Sequence, residues 1–408
     1  MRRRGPTRRW AGTSAGVIAI AAVAMSAGYA RFAPCLADDW GTATQFSAVC
    51  YSDVAVLYKT RAATFPAVPY RDYIFEYPVG TGAFAYAAAA ASAGLRTIGI
   101  PGSDVSVYFT VSAVLLALCG IGAIWWTSRL PGTRPGHVVF LAVGAALLGY
   151  VNWDLLPVAL TAAAVYEWTR GRPYSCGFLL GLGAASKAYP ALLLVPLLLI
   201  CLRERQPRRF AAVAASAAVT WFILNAPYIF GSLHAGWSLF YTFSYQRSSA
   251  LGTGWNLLDH LLPGDWPGSH LDVAVSISLV CCTVALAALA LLAPRTPGLG
   301  QLSFLMIAAF LLTSKSWSPQ YGLWLLPFAV LAGLPWRVLV AWLILDLAFY
   351  VASMWYVNGQ IHGAGPELGL DPYLVVIGAH WLALAAISLL VVREILRADV
   401  PRLAAATV

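Results

Sequence analysis

The residues best suited to chemistry lie in Cys50-Tyr51-Ser52-Asp53 and its continuation Tyr70 to Gly80, which includes Glu76, Tyr77 and Pro78. A carboxylate in this polar, aromatic stretch, next to a long apolar block, is suited to general-base work: it can take a proton from an attacking hydroxyl. The plainer reading of Asp53 is an N-cap for a short amphipathic helix carrying Val54, Leu57 and Tyr58, since helix starts favour carboxylates. Glu76 stands open between a structural hydrogen-bond acceptor and a substrate ligand, whereas Asp38, Asp39 and Asp72 read as solvated loop acids. A second group is cationic. Lys187, Lys315 and Arg247 sit near outer ends of apolar blocks, where an ammonium or a planar guanidinium suits a phosphate. Lys187 has an alternative, a structural pair with Asp154. Asn152, Asp154, Tyr189, Trp317, Gln320 and Tyr321 occupy polar tips between apolar arms, with Tyr77 and His362 in other outer loops. All are candidates for substrate contact. Asp346 falls inside an apolar block, where an ionisable group serves packing or proton handling.

The elements that must position these residues follow from composition. With 60% hydrophobic residues, 11% charged ones and a mean hydropathy of +0.72, the chain is not a water-soluble domain. Its net charge of +9 does not signal nucleic acid, because the basic residues cluster in short loops between apolar blocks, as cytoplasmic loops do. The reading is an all-α polytopic membrane protein with about twelve transmembrane helices. They lie near 11–31, 104–127, 137–150, 155–168, 174–185, 190–202, 210–230, 271–293, 301–313, 321–334, 337–356 and 373–391. This divides the chain into a cytoplasmic tail (1–10), a first outer loop (32–103) carrying Asp53, a helical bundle (104–391) and a second cytoplasmic tail (392–408). Arginines at 2–9, 129, 134, 170, 172, 203–209, 295, 337 and 393–402 fall on one side of this arrangement, which makes both termini cytoplasmic and the membrane a plasma membrane. The basic N-terminus and the run from Ala11 to Ala30 fit a signal peptide or a retained first span; the length of the run favours the span.

One block tests the topology. Residues 81–94 are apolar, but 14 residues rise only about 21 Å against a core of about 30 Å, so they read as a re-entrant or interfacial helix of the first loop. Arms of roughly 13 residues also flank Asn152-Trp153-Asp154, Ser186-Lys187-Ala188-Tyr189 and the stretch from Thr313 to Tyr321, a length too short to cross. These tips should therefore lie below the headgroups, lining one outward cavity together with the first loop. The outer loops 231–270 (Trp237, Tyr241, Tyr245, Arg247, Trp255, Trp266) and 357–372 (His362, Glu367) offer aromatics as interfacial belt residues or as sugar platforms. Cys35 and Cys50 share the oxidising side, either as a disulfide or as two free thiols. The other five cysteines lie in or near spans, and no Cys or His spacing resembles a metal site.

Taken in order, Tyr51-Ser52-Asp53, Glu76 to Gly82, Asn152 to Leu156, Lys187 to Pro190 and Ser318 to Tyr321 resemble the blocks of actinobacterial polyprenol-phosphate-mannose-type membrane glycosyltransferases. These form carbohydrate-active family 87 of the C-type superfamily. The resemblance implies C-type glycosyltransferase architecture and inverting transfer of a sugar, mannose or arabinose, from a polyprenyl-phosphate donor to an envelope glycan or glycolipid on the outer face. It places Asp53 as the base. It implies no nucleotide loop and no obligatory cofactor, and leaves a divalent metal undecided. One departure is Gly80, where the family pattern carries a bulkier residue; that would imply a different acceptor or a lost activity. Two other classes compete: a lipid-linked sugar flippase, which would show paired halves with matching broken helices, and a non-catalytic scaffold of envelope assembly. Partners follow the same lines: membrane lipid, the lipid-linked sugar and a glycan acceptor, with no nucleic acid and an oligomeric state the sequence does not give.

Overall fold

The computed structural model describes residues 14–61, 63–231, 234–262, 264 and 268–397. The basic N-terminal residues, Trp266 and the C-terminal tail beyond 397 lie outside the described residues, so the expectations made for them are not addressed by it.

Eighteen helices run in order: α1 (Ser14–Ala30), α2 (Ala33–Ala37), α3 (Thr44–Ser47), α4 (Asp53–Thr60), α5 (Val79–Thr97), α6 (Asp104–Ser128), α7 (Pro135–Leu148), α8 (Leu155–Thr169), α9 (Pro173–Ser186), α10 (Leu194–Arg203), α11 (Pro207–Ile229), α12 (His234–Gln246), α13 (Gly254–Leu261), α14 (Leu271–Leu292), α15 (Leu299–Thr313), α16 (Gly322–Leu331), α17 (Trp336–Gln360) and α18 (Leu370–Leu396). Short 3-10 turns precede α10 (Tyr189–Leu193), α14 (Gly268–His270) and α16 (Pro319–Tyr321). No strand occurs among the described residues.

Among the described residues, each of the twelve apolar blocks is mainly helical. Among the described residues, five segments, α6, α11, α14 with its leading turn, α17 and α18, are long and apolar enough to cross a membrane. The remaining seven are shorter. Proline opens α7, α9 and α11 at the edge of a basic loop, where its fixed φ suits a helix start and its missing N–H is no loss. Gly171, at φ 72°, turns the chain between α8 and α9 in a conformation that other residues rarely adopt. Val219, Phe222 and Ile223 of α11 and Val273, Ile277, Val280 and Val284 of α14 are exposed, which marks those faces as the lipid side of a membrane-embedded bundle.

Contacts sort the bundle into two ends. At the basic end, Arg129 bonds to Ser14, Arg209 donates to the Trp168 carbonyl at 2.9 Å, and Arg203 donates to the carbonyls of Ala290 and Ala293. At the opposite end, Tyr29 bonds Thr110 at 2.8 Å, Ser106 donates to Asp39 at 3.1 Å, and Ser52 donates to the Tyr150 carbonyl at 2.7 Å. The first loop and the polar tips gather there.

The block expected at 81–94 is a longer helix, α5, of 19 residues. Its rise is about 28 Å, so the length argument against crossing fails. Its contacts answer the question instead. Thr81 at its start donates to the Ser186 carbonyl at 2.6 Å, and Arg96 at its end pairs with Asp104 at 2.9 Å, beside the residues that bond Asp39. Both ends of α5 lie against the same end of the bundle. The sequence pattern misjudged its ends because Val79 and Gly80 follow Pro78, which starts a helix as readily as it breaks one.

The third tip descends deep into the bundle. A Cβ on Gly322, at the start of α16, would stand 2.3 Å from Asp346 Oδ2. Asp346 lies ten residues into α17 and fourteen from its end, about 15 and 21 Å along the helix axis. Non-helical backbone at that depth is tolerated because protein surrounds it.

Candidate functional site

Asp53 is positioned by backbone pairing as well as by its helix. Its N–H donates to the Val151 carbonyl at 2.8 Å, which ties α4 to the turn between α7 and α8. The N-cap of α4 is Ser52, whose hydroxyl accepts from Val54 N–H at 3.3 Å. The capping alternative for Asp53 is therefore corrected by one residue, and its carboxylate is free for other partners.

Those partners are three. Tyr51 donates to Oδ1; Tyr77 donates to Oδ2 at 3.0 Å and Asn152 Nδ2 to the same oxygen at 2.6 Å. Asn152 Nδ2 also reaches the Tyr77 hydroxyl at 2.6 Å, and its Oδ1 accepts from Trp153 N–H, which fixes the amide orientation. A carboxylate offers about four lone-pair directions, so one on Oδ1 remains for a further donor, and the residue keeps partial solvent access. Burial pushes the Asp53 carboxyl above its ordinary range; the bonds from Tyr51, Tyr77 and Asn152 and the charge of Lys187 pull the other way without cancelling it. Burial, followed by the Asp53 charge, pushes both tyrosine hydroxyls well up. They therefore stay protonated and act as donors.

A second group abuts this one. Lys187, just past the end of α9, lies 3.4 Å from Asp154, whose side chain is fully buried. Trp324 Nε1 donates to Asp154 at 2.8 Å. The Lys187 ammonium stands 4.8 Å from the Tyr77 ring centroid and 5.5 Å from that of Tyr321. Tyr321 and Tyr189 each stack on Trp324, at 4.1 and 4.5 Å. Of the two readings for Lys187, the structure has the pair with Asp154. The Lys187 side chain retains 14% exposure, so the pair does not seal it completely. Tyr77 joins the two groups, since its hydroxyl meets Asp53 while its ring meets Lys187.

The other candidates lie elsewhere. Lys315 is not an unpaired cation: it bonds Asp272 and the Tyr245 carbonyl, because α14 begins beside the third tip. Arg247 donates to Ser316 at 3.0 Å in the same region. Glu76 pairs with Arg61, a structural partner from the end of α4. Trp317 is buried against Phe349 and His380, and Gln320 is buried at the same tip. His362 is exposed beyond α17, with φ 52°. Asp72 is an exposed loop acid, held down to about 2 by the Arg71 bond. Asp39 anchors the first loop to Ser103 and Ser106. Cys35 and Cys50 form a disulfide, with Cα atoms 6.0 Å apart, just upstream of Asp53. Among the described residues, no three His, Cys, Asp or Glu side chains come together to hold a metal ion.

Sequence reasoning passed over Trp324 and gave Tyr51 no role. Tyr51 could have been found by its distance of two residues from Asp53; Trp324 carries no local signal, being one of 16 tryptophans. Gly80 has a local reason to be small, since a Cβ there would stand 2.5 Å from Ser186 Oγ and 2.9 Å from the Ala185 carbonyl oxygen.

Among known protein families, the model for glycosyltransferase family 87 matches residues 75–315. That stretch takes in Tyr77, Asn152, Asp154 and Lys187; Asp53 and Tyr321 fall outside it. No curated protein matches the chain.

Proposed function

The chain belongs to glycosyltransferase family 87, and glycosyl transfer is the activity that membership implies; from that premise we propose an inverting transferase that uses a polyprenyl-phosphate sugar, with Asp53 as the base. The donor is a polyprenyl-phosphate mannose or arabinose, and the acceptor is a hydroxyl of an envelope glycan or glycolipid. The site end faces outward and the basic end faces the cytoplasm, supported by the clustering of arginines at one end of the bundle. All twelve apolar helices, short ones included, belong to the membrane domain.

In this reading the acceptor hydroxyl uses the remaining lone pair of Asp53 Oδ1. Its oxygen attacks the anomeric carbon as its proton passes to the carboxylate. The bond from that carbon to the phosphate oxygen breaks on the opposite face, and its electron pair leaves with polyprenyl phosphate. Configuration inverts. A carboxyl raised by burial is a better base near neutral pH than an ordinary aspartate. Lys187, held by Asp154, meets the phosphate as charge develops on it. Tyr321 walls the sugar, backed by the buried Trp324 and Tyr189.

The observation that carries the proposal is the carboxylate of Asp53, oriented by Tyr51, Tyr77 and Asn152, with the Lys187 ammonium across the Tyr77 ring from it. A retaining route needs a second positioned acid about 5 Å away. Glu76, the first-loop acid just before Tyr77, is paired with Arg61, which favours inversion. The test is transfer by purified protein from labelled polyprenyl-phosphate mannose and arabinose to envelope glycolipids, with the anomeric configuration of the product read by NMR. Retention of configuration, or no transfer from any such donor, would overturn it. Protein-dependent passage of labelled lipid across sealed vesicles would favour a flippase.

A further inference from the structure

One ionisable pair lies buried in the membrane interior and has no part in the chemistry above. Asp346 of α17 and His380 of α18 meet at 2.9 Å, and each side chain is 2% exposed. Such groups are costly at that depth, and replacing a buried pair with apolar residues commonly costs nothing or stabilises. Their surroundings give them a use. The His380 ring stacks on Phe349 at 4.5 Å and meets Trp317 in a T-shaped contact at 4.9 Å. Trp317 belongs to the third tip. Asp346 Oδ2 has no hydrogen-bond partner among the described residues and abuts Gly322, where the same tip re-enters a helix. The pair thus touches the third tip at both of its flanks. Before Trp317 the tip is tied to other segments, by Ala250 N–H on the Lys315 carbonyl at 2.8 Å, Arg247 on Ser316 and Lys315 on Asp272, whereas between the two flanks its backbone has the 3-10 turn at Pro319–Tyr321. The tip delivers Tyr321 to Lys187 and, one turn further on, Trp324 to Asp154.

We propose that the Asp346–His380 pair is a positioning device that clamps the third tip in the bundle interior and so holds the donor-phosphate cation Lys187 in place. Its positioning effect rests on the functional reading above, whereas the clamp itself does not. The bond fixes the imidazole plane against Phe349, and that plane sets where Trp317 rests. Gly322 is required to be small because Asp346 occupies the space a Cβ would fill. Neither Asp346 nor His380 touches substrate in this account.

The test uses full-length protein in nanodiscs, with His380→Gln, Asp346→Asn and Gly322→Ala. Hydrogen exchange reports the clamp without any transfer activity. Amides of residues 314–322 should exchange at least tenfold faster in the pair variants, while the tip at 186–189 stays at the wild-type rate. Unchanged exchange at 314–322, or an equal rise at both tips, overturns the clamp. Kinetics report the positioning. The KM for the polyprenyl-phosphate sugar should rise five- to tenfold with kcat changed less, and the effect should be non-additive with Lys187→Met in a double-mutant cycle. Additive effects, or a fall in kcat with KM unchanged, overturn the positioning role. Should the pair variants not fold, Gly322→Ala carries the same two measurements, because it displaces the tip while keeping the pair. A wild-type protein that transfers no sugar but shows the exchange pattern would sink the proposed function and leave the clamp standing.

Discussion

Replacing Tyr77 with phenylalanine isolates the electrostatics of the site. The substitution removes the hydroxyl that donates to Asp53 Oδ2 at 3.0 Å. It keeps the ring that faces Lys187 at 4.8 Å and packs on Phe75 and Trp153. Hydrogen bonds to ionised groups contribute roughly 1.5–3 kcal/mol, and about 1.4 kcal/mol corresponds to one pKa unit. Asn152, released from the Tyr77 hydroxyl, can tighten on Asp53 and offset part of the loss, so the lower end applies, about one unit. The sign is fixed by the chemistry. Burial already raises the Asp53 carboxyl, and each donor opposes that shift. Loss of a donor therefore raises it further, and the ionised base requires a higher pH. The acid limb of kcat/KM against pH, which reports groups of the free enzyme, should move up by about one pH unit. The plateau above it should stay within a few-fold of wild type. An acid limb that stays in place, or that moves down, would refute the claim that Tyr77 stabilises the ionised form of the catalytic carboxylate.

Other consequences concern stability and placement. Asp154→Ala strands the Lys187 ammonium and the Trp324 N–H in a buried setting, and should cost roughly 3–5 kcal/mol; thermal unfolding followed by fluorescence-detected size exclusion would reveal it, and an unchanged midpoint would contradict it. Gly80→Leu forces a side chain into Ser186 and the Ala185 carbonyl, so it should destabilise by about 1–3 kcal/mol, and a wild-type melting temperature would show that α5 has room to move. Reduction of Cys35–Cys50, or Cys35→Ser, opens a loop of 15 residues. The stability at stake is about 3 kcal/mol, expected as a lower melting temperature in reductant that the Cys35→Ser variant no longer shows.

Much of the helical architecture was legible in the sequence because apolar blocks between arginine-bearing loops carry their own signal. The blocks at 155–168 and 174–185 became α8 and α9 within two residues. Asp53 stood out because few acids compete with it. The polar tips were legible as tips, since arms the length of α7 and α9 are too short to cross. Partnerships across the chain were not. Asp346 and His380 are 34 residues apart on separate helices, and Lys315 meets Asp272 across 43; no local pattern announces either. Asn152 was a candidate for substrate contact, yet it is bonded to Asp53 itself, 99 residues away. Helix ends were also hidden. Hydropathy placed the block after Pro78 five residues short, because a helix start at Pro78 and a last turn carrying Arg96 and Thr97 add helical backbone without apolar signal.

The most direct measurement is transfer by Asp53→Asn from labelled polyprenyl-phosphate sugar to glycolipid acceptor, in protein whose melting temperature matches wild type. Asparagine keeps the shape of the side chain; its one oxygen can stand for Oδ2 and accept from Tyr77 and Asn152 while its NH2 group faces the Tyr51 hydroxyl, but it takes up no proton. Loss of a general base should lower kcat by about 10²–10⁴-fold while leaving donor affinity within a few-fold. Transfer at the wild-type rate would contradict the assignment of Asp53 as the base.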